Sequence, residues 1–153
     1  MSGHQGVGAG PQRSWDPDEG ADLRRRRQGA WVDRVLDRAE WLPASERTLV
    51  ESVFRDGRTA VEIAHLTRED PRAVRRRVRR AVDRAMSDRL AFVMRARAGW
   101  SPTRRRVADL TIVEGVSMRI ASQRLGLSYH TVRRHKEAIE ALFNEARADR
   151  ARA

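Results

Sequence analysis

The sequence predicts an all-α fold of two tandem helix-turn-helix units joined by a long helix, and three observations carry that reading. One pattern occurs twice, about 58 residues apart: Gly57-Arg58-Thr59-Ala60-Val61-Glu62-Ile63-Ala64 with Asp70-Pro71-Arg72-Ala73-Val74, then Gly115-Val116-Ser117-Met118 with Gly126-Leu127-Ser128 and Tyr129-His130-Thr131-Val132. Gly57 aligns with Gly115, Asp70 with Ser128 and Val74 with Val132. Leu, Val, Ile and Ala recur at helical spacing although aromatic residues make up only 5% of the chain. Each short helix is preceded by a side chain that can cap it.

The elements follow in order. Residues 1 to 28 read as a flexible tail rich in Gly, Pro, Ser, Gln and Asp, ending in Arg24-Arg25-Arg26-Arg27, which is either a solvated helix start or a phosphate-contacting arm. Residues 29–86 are expected to hold an N-terminal helix and the first unit. Trp31, Val35, Ala39 and Leu42 form one stripe of a helix from Gly29 to Trp41, which Pro43 breaks. Leu49, Val50, Val53 and Phe54 belong to the next helix, stopped by Gly57. Thr59 and Glu62 are spaced as a capping box, and Val61 or Ala60, Ile63, Ala64 and Leu66 are the expected buried side of that short helix. Asp70 caps the third helix and Pro71 takes its first position, where no amide bond is lost.

Val74, Val78, Val82, Met86, Leu90 and Met94 then recur every four residues, and nothing before Gly99 clearly breaks the run. This is the long helix, with a bend expected near Ser87-Asp88 and a linking portion over 87–99 that either serves as a spacer or folds back onto the first unit. Ser101 and Pro102 open the second unit, 100–147, by the same cap-then-proline device. Val107, Leu110, Ile112 and Val113 are its first core positions, Ser117 caps its short helix, Gly126 supplies the positive φ of the turn, and Ser128 caps the last helix. Residues 148–153 are expected to be a tail. The Leu90-Phe92-Val93-Met94 cluster and the Ile139-Leu142-Phe143 patch suit either a homodimer contact or an intramolecular core, the latter being the expectation.

Charge points to a class of partner. The chain of 153 residues has 32 basic and 21 acidic residues, a formal net charge of +11. All but one of the basic residues are Arg, the exception being Lys136. Such a balance favours a polyanion through counterion release. A membrane surface is the rival polyanion, but no apolar run is long enough to span a bilayer. The N-terminus lacks an apolar signal core, so a cytoplasmic, nucleoid-associated location is expected. With no Cys, disulfides and thiolate metal sites are excluded.

The stretch from Leu42-Pro43-Ala44-Ser45-Glu46-Arg47 through Gly57–Ala64 to Asp70-Pro71-Arg72-Ala73-Val74-Arg75 resembles region 4 of sigma-70-type sigma factors, the part that recognises the −35 promoter element. Where that family has its usual turn glycine, this chain has Arg68, which puts the turn geometry of the first unit at issue. The second unit is similar both to that region and to LuxR-type DNA-binding domains, through Glu114-Gly115-Val116-Ser117, Leu125-Gly126-Leu127-Ser128 and Thr131-Val132-Arg133-Arg134-His135. Ala121 and Ser122 stand where the LuxR family has a larger aliphatic residue and then Ala. About 40 residues precede the first unit, too few for sigma region 2, so complete sigma activity by this chain alone is not expected.

The resemblance implies that the last helix of each unit enters the major groove of double-stranded DNA, N-terminal end first. The candidate DNA-binding residues are Arg72, Arg75, Arg76 and Arg79 in the first unit. In the second they are Tyr129, His130, Thr131, Arg133, Arg134 and Lys136. His135 lies near the buried stripe and is expected to pack. Trp31, Trp41 and Trp100 are expected to anchor inter-helix contacts. No catalytic constellation, cofactor or metal is expected: the four His are scattered, no phosphate-cradling loop with Lys is present, and the acidic cluster Asp16, Asp18, Glu19 and Asp22 lies in flexible sequence. The expected function is a sequence-specific transcription regulator binding duplex DNA. The alternatives are an adaptor that docks on RNA polymerase core or a sigma factor, and a phage or plasmid DNA-packaging or partition protein.

Overall fold

A computed structural model describes residues 29–153, and these are helical throughout with short connections. The helices are α1 (Gly29–Ala39), α2 (Ala44–Phe54), α3 (Ala60–Thr67), α4 (Pro71–Met86), α5 (Asp88–Ala96), α6 (Pro102–Ala108), α7 (Met118–Leu125) and α8 (Tyr129–Arg152). A 3₁₀ turn spans Arg97–Gly99, and α6 continues into a π-helical turn at Asp109–Val113. The tail expectations for residues 1 to 28, the Arg24–Arg27 run, Trp15 and the acidic cluster lie outside the described residues. Among those described, no helix is long and apolar enough to cross a membrane.

The repeat seen in the sequence extends to backbone atoms. The short helices α3 and α7 begin and end at aligned positions, as do the starts of α4 and α8. The amide of Glu69 donates to Ala64 O at 3.0 Å, and the aligned amide of Leu127 donates to Ser122 O at 3.1 Å. Arg58 N to Ser52 O (2.9 Å) is matched by Val116 N to Leu110 O (3.0 Å). Gly57 and Gly115 share the left-handed region, with φ of 67° and 69°. The expected caps are all made. Thr59 and Glu62 form the reciprocal box, with Thr59 N donating to Glu62 Oε2 at 2.7 Å and Glu62 N to Thr59 Oγ1 at 3.2 Å. Asp70, Ser101, Ser117 and Ser128 each accept from amides of the helix that follows.

Arg68 resolves the question of the missing turn glycine. It adopts φ 58°, ψ 38°, the conformation that Gly126 takes at the aligned position (φ 63°, ψ 31°). The turn is therefore conserved between the units while the first carries a Cβ in a region that penalises it. A clamp over the turn helps hold it: Arg77 of α4 donates from Nη1 to both carboxylate oxygens of Glu69, at 2.6 and 2.8 Å. That contact, with the nearby Thr67 hydroxyl, holds the Glu69 carboxyl below its ordinary pKa.

Several expectations change. The long helix is two helices, because Ser87 leaves helical geometry at ψ 139°. Its hydroxyl donates to Arg84 O at 2.8 Å and accepts from Leu90 N at 3.1 Å, so one serine ends α4 and caps α5. The break, at the position where a bend was expected, turns α5 back onto the rest of the chain, where Leu90 and Val93 are fully buried, so of the two arrangements open to this segment it takes the folded-back one. Leu66, expected inside, is 63% exposed, and Val61 is 57% exposed; Ala60, Ile63 and Ala64 are the buried side of α3. At the ends, α1 stops at Ala39 and α8 runs through the expected tail to Arg152.

One core serves both units. Val35, Leu49, Val50, Val74, Val78 and Ala81 come together with Leu90, Val93, Ala108, Ile112 and Ile139 in a single cluster. A small second cluster, Val107, Ala121 and Val132, lies under α7 with Leu110, Val116 and Leu125 at its edge. The two apolar patches that suited either a dimer or an intramolecular core meet within the chain, with Phe92 5.7 Å from Phe143 between ring centroids. Trp31 packs edge-on against Phe54 (5.7 Å) and Trp100 against Phe92 (6.0 Å), the anchoring role expected of both. Trp41 is half-buried beneath the Arg38 guanidinium.

The strained Arg68 turn yields a paired test. Arg68→Gly is expected to stabilise the chain by about 1 kcal/mol, and Gly126→Ala to destabilise it by a similar amount through φ alone, since nothing lies within 4 Å of the added Cβ. Urea denaturation reads both; a destabilised Arg68→Gly variant would show that the arginine side chain, not its backbone, dominates the turn.

Candidate nucleic-acid interface

The α4 face opposite Val74 is built from arginine. At about 100° per residue, Arg72, Arg75, Arg76 and Arg79 fall within an arc of roughly 100° on the side away from that valine. Arg72, Arg76 and Arg79 are exposed and Arg75 is half-buried. Buried Val74, Val78, Ala81, Val82 and Ala85 hold the opposite face of the helix in the core. The arc therefore points outward because the apolar stripe leaves it no other orientation. Arg77 lies off the arc, tied to Glu69.

On α8 the aligned arc holds His130, Arg133, Arg134 and Glu137, all exposed. Glu137 stands where the first unit has Arg79. It accepts from Arg133 Nε at 2.7 Å, which restrains that guanidinium through its Nε. The α4 arc can therefore only donate hydrogen bonds, whereas the α8 arc also carries a carboxylate acceptor. The N-termini differ too. Asp70 places a carboxylate on the first amides of α4, with Arg72 N 2.7 Å from Oδ1. Ser128 places only a hydroxyl on those of α8, with Thr131 N at 3.0 Å. The partial positive charge at the α8 terminus thus meets a neutral hydroxyl where that of α4 meets a carboxylate.

The remaining sequence candidates divide. Tyr129 is 49% exposed beside the α8 terminus. Thr131 is half-buried on the opposite flank from Arg133, and its Oγ1 lies 2.8 Å from Ser128 Oγ, so its hydroxyl is already engaged. Lys136 does not share the exposed face of Arg133 and Arg134. It is half-buried and lines a cavity between the two units, because it takes the position that Val78 occupies in α4.

His135 packs as expected. It is half-buried, and burial holds its imidazole below the ordinary value of 6.5, with the Arg104 and Arg134 charges acting in the same direction. Two features escaped the sequence reading. One is the Glu137–Arg133 pair, whose i,i+4 spacing was a usable signal. The other is Arg84, which joins the units: its Nη1 donates to Glu46 Oε2 at 2.6 Å and to Val113 O at 3.3 Å. Its guanidinium lies so close to Gly115 that a Cβ there would meet it at 2.7 Å.

The His135 shift has a defined consequence. The unfolded chain takes up this proton at a higher pH than the folded chain, so stability falls as pH drops from about 6.5 towards the folded value. His135→Leu should flatten that part of the profile when urea midpoints are measured between about pH 5 and 8. An unchanged slope would assign the acid sensitivity to another group. No protein-family model matches the chain, and no curated protein or solved structure shows significant similarity to it.

Proposed function

We propose that the chain is a sequence-specific regulator of transcription that binds double-stranded DNA through two helix-turn-helix units, each like sigma region 4 or a LuxR-type domain, and works at the bacterial nucleoid. The observation that carries this reading is the recurrence of one outward arc, at aligned positions, on the longer helix of both units. In the helix-turn-helix mode the N-terminal part of that helix meets base edges while its neighbours meet phosphates. Arg72, Arg76 and Arg79 with Arg133 and Arg134 supply cations at those positions. An arginine that bonds both acceptors of guanine contributes roughly 1–3 kcal/mol of discrimination.

The arcs suit different work. A face of arginines alone favours phosphates and guanine and can accept nothing from the amino groups of adenine and cytosine. Glu137 in the α8 arc repels phosphate, accepts from cytosine, and holds Arg133 in place. The second unit is the stronger reader of sequence and the first the stronger grip. The shared core sets both arcs on one body, so a bipartite site of fixed spacing is expected.

Selection of bound duplexes from a random pool tests this. Two enriched half-sites at constant separation are expected, with affinity falling steeply as salt rises. Arg133→Ala should erase enrichment at one half-site, and Arg76→Ala should relax the other. Equal weakening on every sequence would assign both arginines to phosphates. Glu137→Gln should raise affinity for random duplex several-fold while narrowing the ratio of specific to random binding. Lack of any duplex binding at about 50 mM salt would remove the proposal.

A second reading has its own support. Val61 and Leu66 are exposed on α3 where the second unit has Arg119 and Arg124. An apolar outer face on the first unit suits contact with RNA polymerase or a sigma factor. Capture of polymerase from nuclease-treated extract, lost in a Val61→Arg, Leu66→Arg variant, would favour the adaptor role.

A further inference from the structure

A cavity of about 200 Å³ opens at the seam between the units, and its lining draws on α4, α5, the π-helical turn, the Gly115 turn and α8. Three cationic side chains, Arg84, Arg89 and Lys136, line it against one carboxylate, Glu140. That carboxylate is already used by Arg89 Nη2 at 2.9 Å. Both hydrogen bonds of Arg84 use its Nη1. Lys136 makes no hydrogen bond or ion pair among the described residues. The lining therefore holds more donors than acceptors, and Lys136, whose ammonium is unpaired among the described residues, is a half-buried residue. The internal repeat sharpens the point. The residue aligned with Lys136 is Val78, 1% exposed in the core of the first unit. A lysine at this position, with no partner among the described residues, leaves its ammonium available to an anion from outside.

We infer that this cavity is a binding site for a phosphate-type oxyanion, free or as the head of a small phosphomonoester, held by Lys136 with Arg84 and Arg89. Charge-assisted bonds from two guanidinium groups and an ammonium match the acceptors of such an anion. The volume leaves room for a phosphate group and a few further atoms. Bound there, the anion bridges α4 and α8, the two helices that carry the outward arcs, and tightens their relative placement. This inference does not rest on the DNA reading: its lysine is half-buried at the seam, whereas Arg133 and Arg134 are exposed.

Thermal unfolding of the full chain, in sodium phosphate and in sodium chloride at matched ionic strength, tests the site. At phosphate ten times its Kd, wild type is expected to gain about 4 °C over chloride. Lys136→Val, which installs the residue of the first unit, should lose most of that gain. Lys136→Arg should keep it, as should Arg106→Ala, which removes an exposed arginine elsewhere. Should Lys136→Val fail to fold, Lys136→Gln provides the same comparison without the charge. Glycerol phosphate titrated in parallel separates the sources: a lower Kd than inorganic phosphate assigns the site to esters, a higher one to the free ion. Equal gains in wild type and in the Lys136→Val or Lys136→Gln variant would overturn the inference. So would a Lys136 variant that loses duplex affinity in phosphate-free buffer while wild type shows no phosphate-dependent gain, since the lysine would then serve the DNA backbone.

Discussion

The Arg84 guanidinium sits where the two units meet, and the arrangement of the whole chain depends on that junction. Its Nη1 reaches Glu46 on α2 at 2.6 Å and the Val113 carbonyl at 3.3 Å, and its plane presses on Gly115. Both ionic side chains are mostly shielded, with 18% and 25% of their surface exposed. An ion pair in such a setting contributes modestly in itself, because desolvation offsets much of the attraction. Its value here is positional. The Arg84 guanidinium can lie this close to the turn that begins the second unit because Gly115 has no Cβ, and the φ of 69° at that glycine is one that other residues avoid. Around the contact, Ile112, Val113 and Ile139 of the second unit enter the same core as Val78, Val82 and Leu90. The second unit's own cluster has three buried residues, Val107, Ala121 and Val132, too few to sustain a domain of its size. Its stability is borrowed across the seam.

That dependence bears on how the chain could act on DNA. Two domains on a flexible tether gain from effective concentration but tolerate many spacings between half-sites. Two units fused through a core favour one spacing, because changing it means breaking packed contacts. The fusion also allows the arcs to diverge. One can keep four arginines and the other can exchange an arginine for Glu137, since the body, not each arc alone, sets the register. The seam cavity gives the same architecture a place where a small anion acts on both arcs together.

Much of this was legible in the chain of residues. The repeat, every cap, the proline starts and the positive φ at Gly126 follow from local chemistry that depends on neighbours three or four positions away. The arginine arc on α4 was equally visible, because Val74 and Val78 set its phase. What escaped notice depends on distant partners. A bend near Ser87-Asp88 was legible from the drift of the four-residue stripe, but that Ser87 both ends one helix and caps the next depends on the packing of Leu90 and Val93. Arg84 is one arginine among many until Glu46 and Gly115 come beside it. Lys136 has the sequence phase of a flank residue on the last helix of the second unit, and its inward position is set by the seam. Leu66 was placed inside by its hydrophobicity, yet α3 is short and Ala60, Ile63 and Ala64 already fill its inner side. Arg68 shows the reverse case: tertiary contacts impose a glycine conformation on a residue with no propensity for it.

The central claim is that both units open and close as one body. Native-state amide hydrogen exchange at increasing denaturant measures this residue by residue. Amides in the middle of α4 and of α8 should share one opening free energy, equal to that of global unfolding, and Arg84→Met should lower both by the same amount. Independent opening of α7 and α8 at a lower free energy than α4, unchanged by Arg84→Met, would contradict it.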